Sequence, residues 1–186
     1  MRRGAYPGSF NPPTMAHLAI AEAAVDQRGL DRVDFVVSHV ALAKEAIDRP
    51  RLEDRIAVLR ESMVELAWAG VVVTGDQLLV DIAAGYDVLI MGADKWEQVN
   101  DAAFYGSAVD RDAAVARLPE LAIAGRPPYY VPAAHHLHVS DEIAEVSSTA
   151  ARKGSRHHMT PAAVEFDRAS GAWSDPDRYE RWLAQR

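Results

Sequence analysis

Thr14 and His17 stand three residues apart, directly behind Pro12 and Pro13, at the head of a run of helix-favouring residues from 14 to 28. Prolines are tolerated at a helix threshold but not inside one, so the helix is expected to start at Pro13 or Thr14. Thr14 then serves as N-cap, with His17 at the third helical position. Residues at this spacing share one helix face, which predicts that the hydroxyl and the imidazole look out beside unpaired backbone N–H groups. Such an end favours an anion by about 0.3–1 kcal/mol, and by up to about 2 kcal/mol when partly buried. The same field disfavours a protonated histidine, so His17 is expected to be a neutral donor that can gain charge when a phosphate arrives. Gly8, ahead of Ser9, lets the backbone pass close to a ligand. The other reading of an isolated T-x-x-H is an ordinary capped helix with a satisfied surface histidine.

A second group lies far along the chain, where Ser147, Ser148 and Thr149 are capping candidates and Arg152 follows within one turn. A cation in the first turn of a helix is misplaced unless an anion sits there too. The competing reading pairs Arg152 with Glu142 or Glu145. Between the two groups, Gly92 closes an apolar strand and Asp94 falls at its carboxyl edge, where ligands bind in open α/β sheets. Trp96 suits either a stacked substrate ring or a core anchor. His136 and His138 would share a strand face at a spacing compatible with zinc, with His157 and His158 downstream. With no cysteine and no third ligand at helix spacing, no metal site is assigned to them, and the His135, His136 and His138 cluster is read as surface chemistry beside the pocket.

The elements that must position these residues are apolar segments of strand length at 33–40, 70–75, 87–94 and 120–125. They alternate with helix-like stretches at 14–28, 51–68, 76–84 and 94–103. Continuous apolar strands separated by helices predict an α/β, Rossmann-like, doubly wound parallel sheet. The first strand, in "RRGAY", is poorly marked because it carries two arginines and a glycine. Residues 126–143 read as a proline-rich approach to the last sheet element, and Thr160 with Pro161 opens a helix over about 161–169. A single domain over 1–186 is expected, with a helical C-terminal part from about 147.

The chain has 186 residues, 49% hydrophobic and 25% charged, which fits a packed globular protein. A net charge of −7 argues against a surface built to neutralise nucleic acid. No stretch has the length of a membrane span or the look of a signal peptide, so a cytoplasmic protein is expected; self-association into a homo-oligomer stays open. Neither G-x-G-x-x-G nor G-x-x-x-x-G-K-[ST] occurs, so any phosphate loop must be of another kind.

The first loop resembles the nucleotidylyltransferase superfamily, whose signature is G-[ST]-F-[DN]-P followed by [HT]-x-G-H. "GSFNPPTMAH" matches at Gly8, Ser9, Phe10, Asn11, Pro12, Thr14 and His17, and departs at Ala16, where glycine is usual. "EVSSTAARKG" resembles the I-S-S-T-x-x-R motif of the same superfamily at Val146, Ser147, Ser148, Thr149 and Arg152. Lys44 follows the second strand at a position resembling the superfamily's phosphate-binding lysine, a solvated lysine being the alternative. Arg55 and Met63 resemble the helix that follows.

The resemblance implies adenylyl transfer from ATP to a phosphate-bearing acceptor, with pyrophosphate leaving. Thr14 and His17 would hold the α-phosphate, while Ser148, Thr149 and Arg152 would hold the β- and γ-phosphates, with Mg2+ bridging phosphate oxygens. "GAD" at 92–94 resembles nicotinate and nicotinamide mononucleotide adenylyltransferases. "YPGSF" at 6–10 and "LLVDIA" at 78–83 resemble phosphopantetheine adenylyltransferases. A nucleotide-binding protein without turnover is the reading of a different class.

Overall fold

The computed structural model describes residues 1–39 and 49–186. In chain order the elements are β1 (Arg3–Pro7), α1 (Met15–Arg28), β2 (Arg32–Ser38), α2 (Leu52–Glu61), β3 (Ala69–Thr74), α3 (Leu79–Ile82), β4 (Val88–Gly92) and α4 (Ala93–Asn100). There follow α5 (Ala108–Val115), β5 (Glu120–Ala124), β6 (His136–Leu137), α6 (Asp141–Glu145), α7 (Ser148–Arg152), α8 (Pro161–Ser170) and α9 (Pro176–Leu183). The strands form one parallel six-stranded sheet in the order β3-β2-β1-β4-β5-β6. This is the α/β doubly wound arrangement, and its order reverses between β1 and β4, which opens a crevice at their carboxyl ends.

Alternation along each strand fills a core on either face of the sheet. Val33, Phe35 and Val37 pack with Tyr6, Ile90 and the alanines of α1. Val36, Leu89 and Met91 pack on the opposite side with Ile82 and Val99. A third cluster joins Val58 of α2 to Met159, Trp173 and Tyr179 of the C-terminal segment. No helix among the described residues is long and apolar enough to cross a membrane.

The poorly marked first strand forms because its charge is matched across the sheet. Arg3 pairs with the buried carboxylate of Asp34 at 2.6 Å and lies 4.7 Å over the Tyr86 ring, while Arg2 pairs with Glu120. Burial alone would raise the Asp34 pKa, but hydrogen bonds from Arg3, Arg32 and Tyr86 outweigh it and hold the carboxyl below its ordinary value.

Several helices are shorter than the pattern predicts. The stretch 51–68 is helical only to Glu61, because the Ser62 hydroxyl bonds back to the Val58 carbonyl at 2.7 Å and meets the Thr160 hydroxyl at 2.7 Å. The chain then turns, letting Leu66 and Trp68 reach the first core. A Thr74–Asp76 turn delays α3, and Asp101, whose carboxylate accepts from the Ala103 N–H, ends α4 before residue 103. The helix α5 has no buried residue and so no apolar stripe to announce it.

Candidate active site

The crevice between β1 and β4 holds a cavity of about 560 Å³, and the first loop is its floor. Gly8 continues from β1 with its N–H donated to the Val36 carbonyl at 3.1 Å. Phe10 then adopts φ 45, in the left-handed region that bulky residues avoid at a cost of about 1–3 kcal/mol. Packing holds it there, since its ring lies 5.7 Å from Tyr6, 5.3 Å from Phe35 and 5.0 Å from His17. A Cβ on Gly8 would sit 2.9 Å from that ring. Gly8→Ala is therefore expected to destabilise the protein by about 1–3 kcal/mol, read as a lower midpoint in thermal denaturation. A parental midpoint would show that the loop has room to spare.

Thr14 is the N-cap of α1 and His17 its third residue, as the spacing predicts. The arrangement is more inward than expected. The Thr14 N–H donates to His17 Nδ1 at 2.9 Å, and the Thr14 hydroxyl, itself buried, lies 2.9 Å from the same nitrogen. Because Nδ1 accepts, the ring proton belongs on Nε2, the nitrogen left for a ligand. Ala16 lines the cleft beside His17; the His17 N–H already donates to the Thr14 carbonyl at 3.1 Å, which leaves the Met15 and Ala16 N–H groups without an intrahelical acceptor.

Burial pushes the His17 pKa from 6.5 down to about 4. The unfolded state therefore binds the proton first, and stability rises with pH across this window. His17's contribution is complete above about pH 6.5 and is lost as the pH falls towards about 4. An NMR titration, with His17→Gln to assign the resonance, should give a midpoint of about 4. A midpoint near 6.5 would put the ring in solvent.

The second group packs directly on the first loop. Ser147 caps α7 by accepting from the Ala150 N–H at 3.1 Å. Ser148 donates to the Pro12 carbonyl at 2.8 Å. Arg152 donates from one terminal nitrogen to the Asn11 carbonyl and from the other to the Thr149 hydroxyl at 3.3 Å. Neither Glu142 nor Glu145 pairs with it among the described ion pairs. Contrary to the expectation from the sequence, Arg152 is not a first-turn cation: α7 has five residues and Arg152 is the last, so a cation there is not misplaced. Ser147, Ser148 and Thr149 line the cleft, whereas exposed Arg152 lies at its edge, holding the loop.

The opposite wall comes from β4 and α4. Gly92 and Asp94 line it, with Asp94 in the first turn of α4. The neighbouring cleft residue is Lys95, whose ammonium reaches Gln98 Oε1 at 2.9 Å. Trp96 packs instead on the second core, 6.2 Å edge-on to His135, so the structure places it as an anchor rather than on the cleft wall. Lys44 lies outside the described residues. His136 sits against Gly125, a cleft residue, with its ring 4.7 Å from that of His138.

Arg55 is the cleft residue that residue-by-residue reading left in the background. It is 8% exposed, lines the cleft, donates to the Ser9 carbonyl at 2.9 Å and has Nε unpartnered. Among the described residues no carboxylate pairs with it, and burial lowers its pKa. Arg55 therefore brings to the crevice, near the N-terminus of α1, a buried cation with no counter-charge among the described residues, an arrangement that favours an anion.

A sequence profile of the cytidylyltransferase-like family matches residues 5–154, which spans both anchors and the sheet. The chain belongs to this family. It is 38% identical over 98 residues to a phosphopantetheine adenylyltransferase of Paracoccus denitrificans, covering 50% of this chain and 57% of that one. A phosphopantetheine adenylyltransferase of Rhizorhabdus wittichii is 33% identical over 91 residues, covering 49% of this chain and 52% of its own. A probable nicotinate-nucleotide adenylyltransferase of Salinibacter ruber is 35% identical over 63 residues, covering 34% and 32%. The chain spans about half the length of the phosphopantetheine adenylyltransferases it matches. The family match takes in the first loop, α2 with Arg55, and α7, and stops where the C-terminal cluster begins.

Proposed function

We propose that this member of the cytidylyltransferase-like family transfers the adenylyl group of Mg–ATP to a small phosphate-bearing acceptor. The observation that carries the reading is the convergence on one crevice of the α1 N-terminus, neutral His17 and Arg55, which has no carboxylate partner among the described residues. An acceptor phosphate oxygen attacks the α-phosphorus, the bond to the β-phosphate oxygen breaks, and pyrophosphate leaves with that electron pair. The chain's part is positioning and charge stabilisation, so no covalent enzyme intermediate is needed. His17 Nε2–H and the first-turn N–H groups take the α-phosphate oxygens. Arg55 with Ser148 and Thr149 takes the departing phosphates, joined by Arg152 when it releases Asn11. Asp94 is the one carboxylate among the described cleft residues, so magnesium enters as part of Mg–ATP, held by phosphate oxygens.

For the acceptor, nicotinate or nicotinamide mononucleotide is the first reading, supported by the Gly92–Asp94 segment and by Phe104, a half-exposed ring on the cleft wall suited to stacking on a flat heterocycle. Phosphopantetheine is the second, supported by Leu79 on the cleft wall and by the two phosphopantetheine adenylyltransferase relatives. The test is pyrophosphate release from Mg–ATP with nicotinate mononucleotide, nicotinamide mononucleotide or phosphopantetheine, each supplied alone. Release with one acceptor selects it. ATP binding with no release in all three reactions would favour a protein that binds nucleotide without turning it over.

A further inference from the structure

The family match ends at residue 154, yet the remaining segment touches both the first loop and the start of α2. Trp173, 8% exposed, donates its indole N–H to Asn11 Oδ1 at 2.6 Å. Asn11 is equally buried, and its other amide atom reaches the Arg49 carbonyl at 3.4 Å while its backbone carbonyl accepts from Arg152. The indole is held in turn. Its own backbone N–H donates to the buried Asp167 carboxylate at 2.8 Å, and its ring lies 5.9 Å from Phe166. Beside it, the Thr160 N–H donates to the Pro13 carbonyl at 3.2 Å, and Met159 forms an antiparallel bridge with Thr14.

The start of α2 is tied in the same way. The Tyr179 hydroxyl accepts from the Arg51 N–H at 2.9 Å and donates to Asp54, which also takes Arg186 at 2.7 Å. Asp54 directly precedes Arg55.

We propose that the segment after residue 154 braces the cleft, and that Trp173 is a positioning residue that fixes the first loop through Asn11. Without the indole N–H the buried Asn11 oxygen has no donor among the described residues, and the loop must give up this geometry to reach water. The proposal rests on the adenylyl-transfer reading only where Mg–ATP is the probe; loop order is measured independently of it.

The test compares the full chain with Trp173→Phe, which keeps a ring in the C-terminal cluster and removes the N–H. Amide exchange over residues 9–17 is expected to quicken about tenfold, and Mg–ATP to bind about tenfold more weakly. Asn11→Ala should give the same two changes. Adding Trp173→Phe to it should change affinity less than twofold, because both act through one bond. Phe166→Leu, in the same cluster, should lower the thermal midpoint while leaving exchange over 9–17 unchanged. Parental exchange over 9–17 in Trp173→Phe, or independent effects of the two substitutions, would overturn the proposal. Should Trp173→Phe fail to fold, the comparison of Asn11→Ala with the parent still decides: an undisturbed loop there removes the brace. Should the parent bind no Mg–ATP, the functional reading falls while exchange continues to decide the brace.

Discussion

His17→Ala lowers turnover by about 10²–10³, the scale of losing one donor aimed at developing charge in a preorganised site. The effect is expected in kcat, with KM for Mg–ATP little changed, because a donor matched to charge that develops late contributes little to ground-state binding. The geometry makes this sharp: His17 Nδ1 is already occupied by Thr14, so the ring offers a single N–H and cannot rotate to offer another. Steady-state pyrophosphate release measures it, with circular dichroism to verify folding. Normal turnover in a folded His17→Ala protein would remove the residue from the chemistry and leave it as a helix-capping group.

Arg55→Met is expected to separate activity from stability. Truncating one side of a buried charge pair costs about 2–5 kcal/mol, so kcat/KM for Mg–ATP should fall by roughly 10²–10³. The free protein, by contrast, carries the guanidinium without a carboxylate among the described residues, and its burial is a penalty rather than a gain. Its thermal midpoint should therefore hold within a few degrees or rise. A midpoint that collapses while kcat/KM is kept would show that the bond from Arg55 to the Ser9 carbonyl is the residue's whole contribution.

These two residues differ in how readily the chain discloses them. Thr14 and His17 are legible because prolines fix where a helix can begin, so cap and third position follow from local rules. The sheet is legible for the same kind of reason: runs such as "VDFVVS" and "VLIMG" can be buried on both faces only in a parallel array. Arg55 is different. In "LEDRIAVLRES" it looks like any solvated arginine on an amphipathic helix, and only the packing of α2 against the C-terminal cluster turns it inward. The bond from Trp173 to Asn11 crosses 162 residues, and no local pattern announces it. Arg152 misled because its meaning depends on helix length: it is the fifth helical residue, near the start of any longer helix but the last of a helix of five. Arg3 obscured β1 because its partner, Asp34, lies on the next strand.

Direct transfer of the adenylyl group is reported by the α-phosphate of ATP. With ATP labelled at the α-phosphorus and the acceptor that supports pyrophosphate release, the label should pass to the acceptor in a one-to-one ratio with pyrophosphate, leaving the protein unlabelled. Label retained on the protein, or recovered as free AMP, would contradict direct transfer.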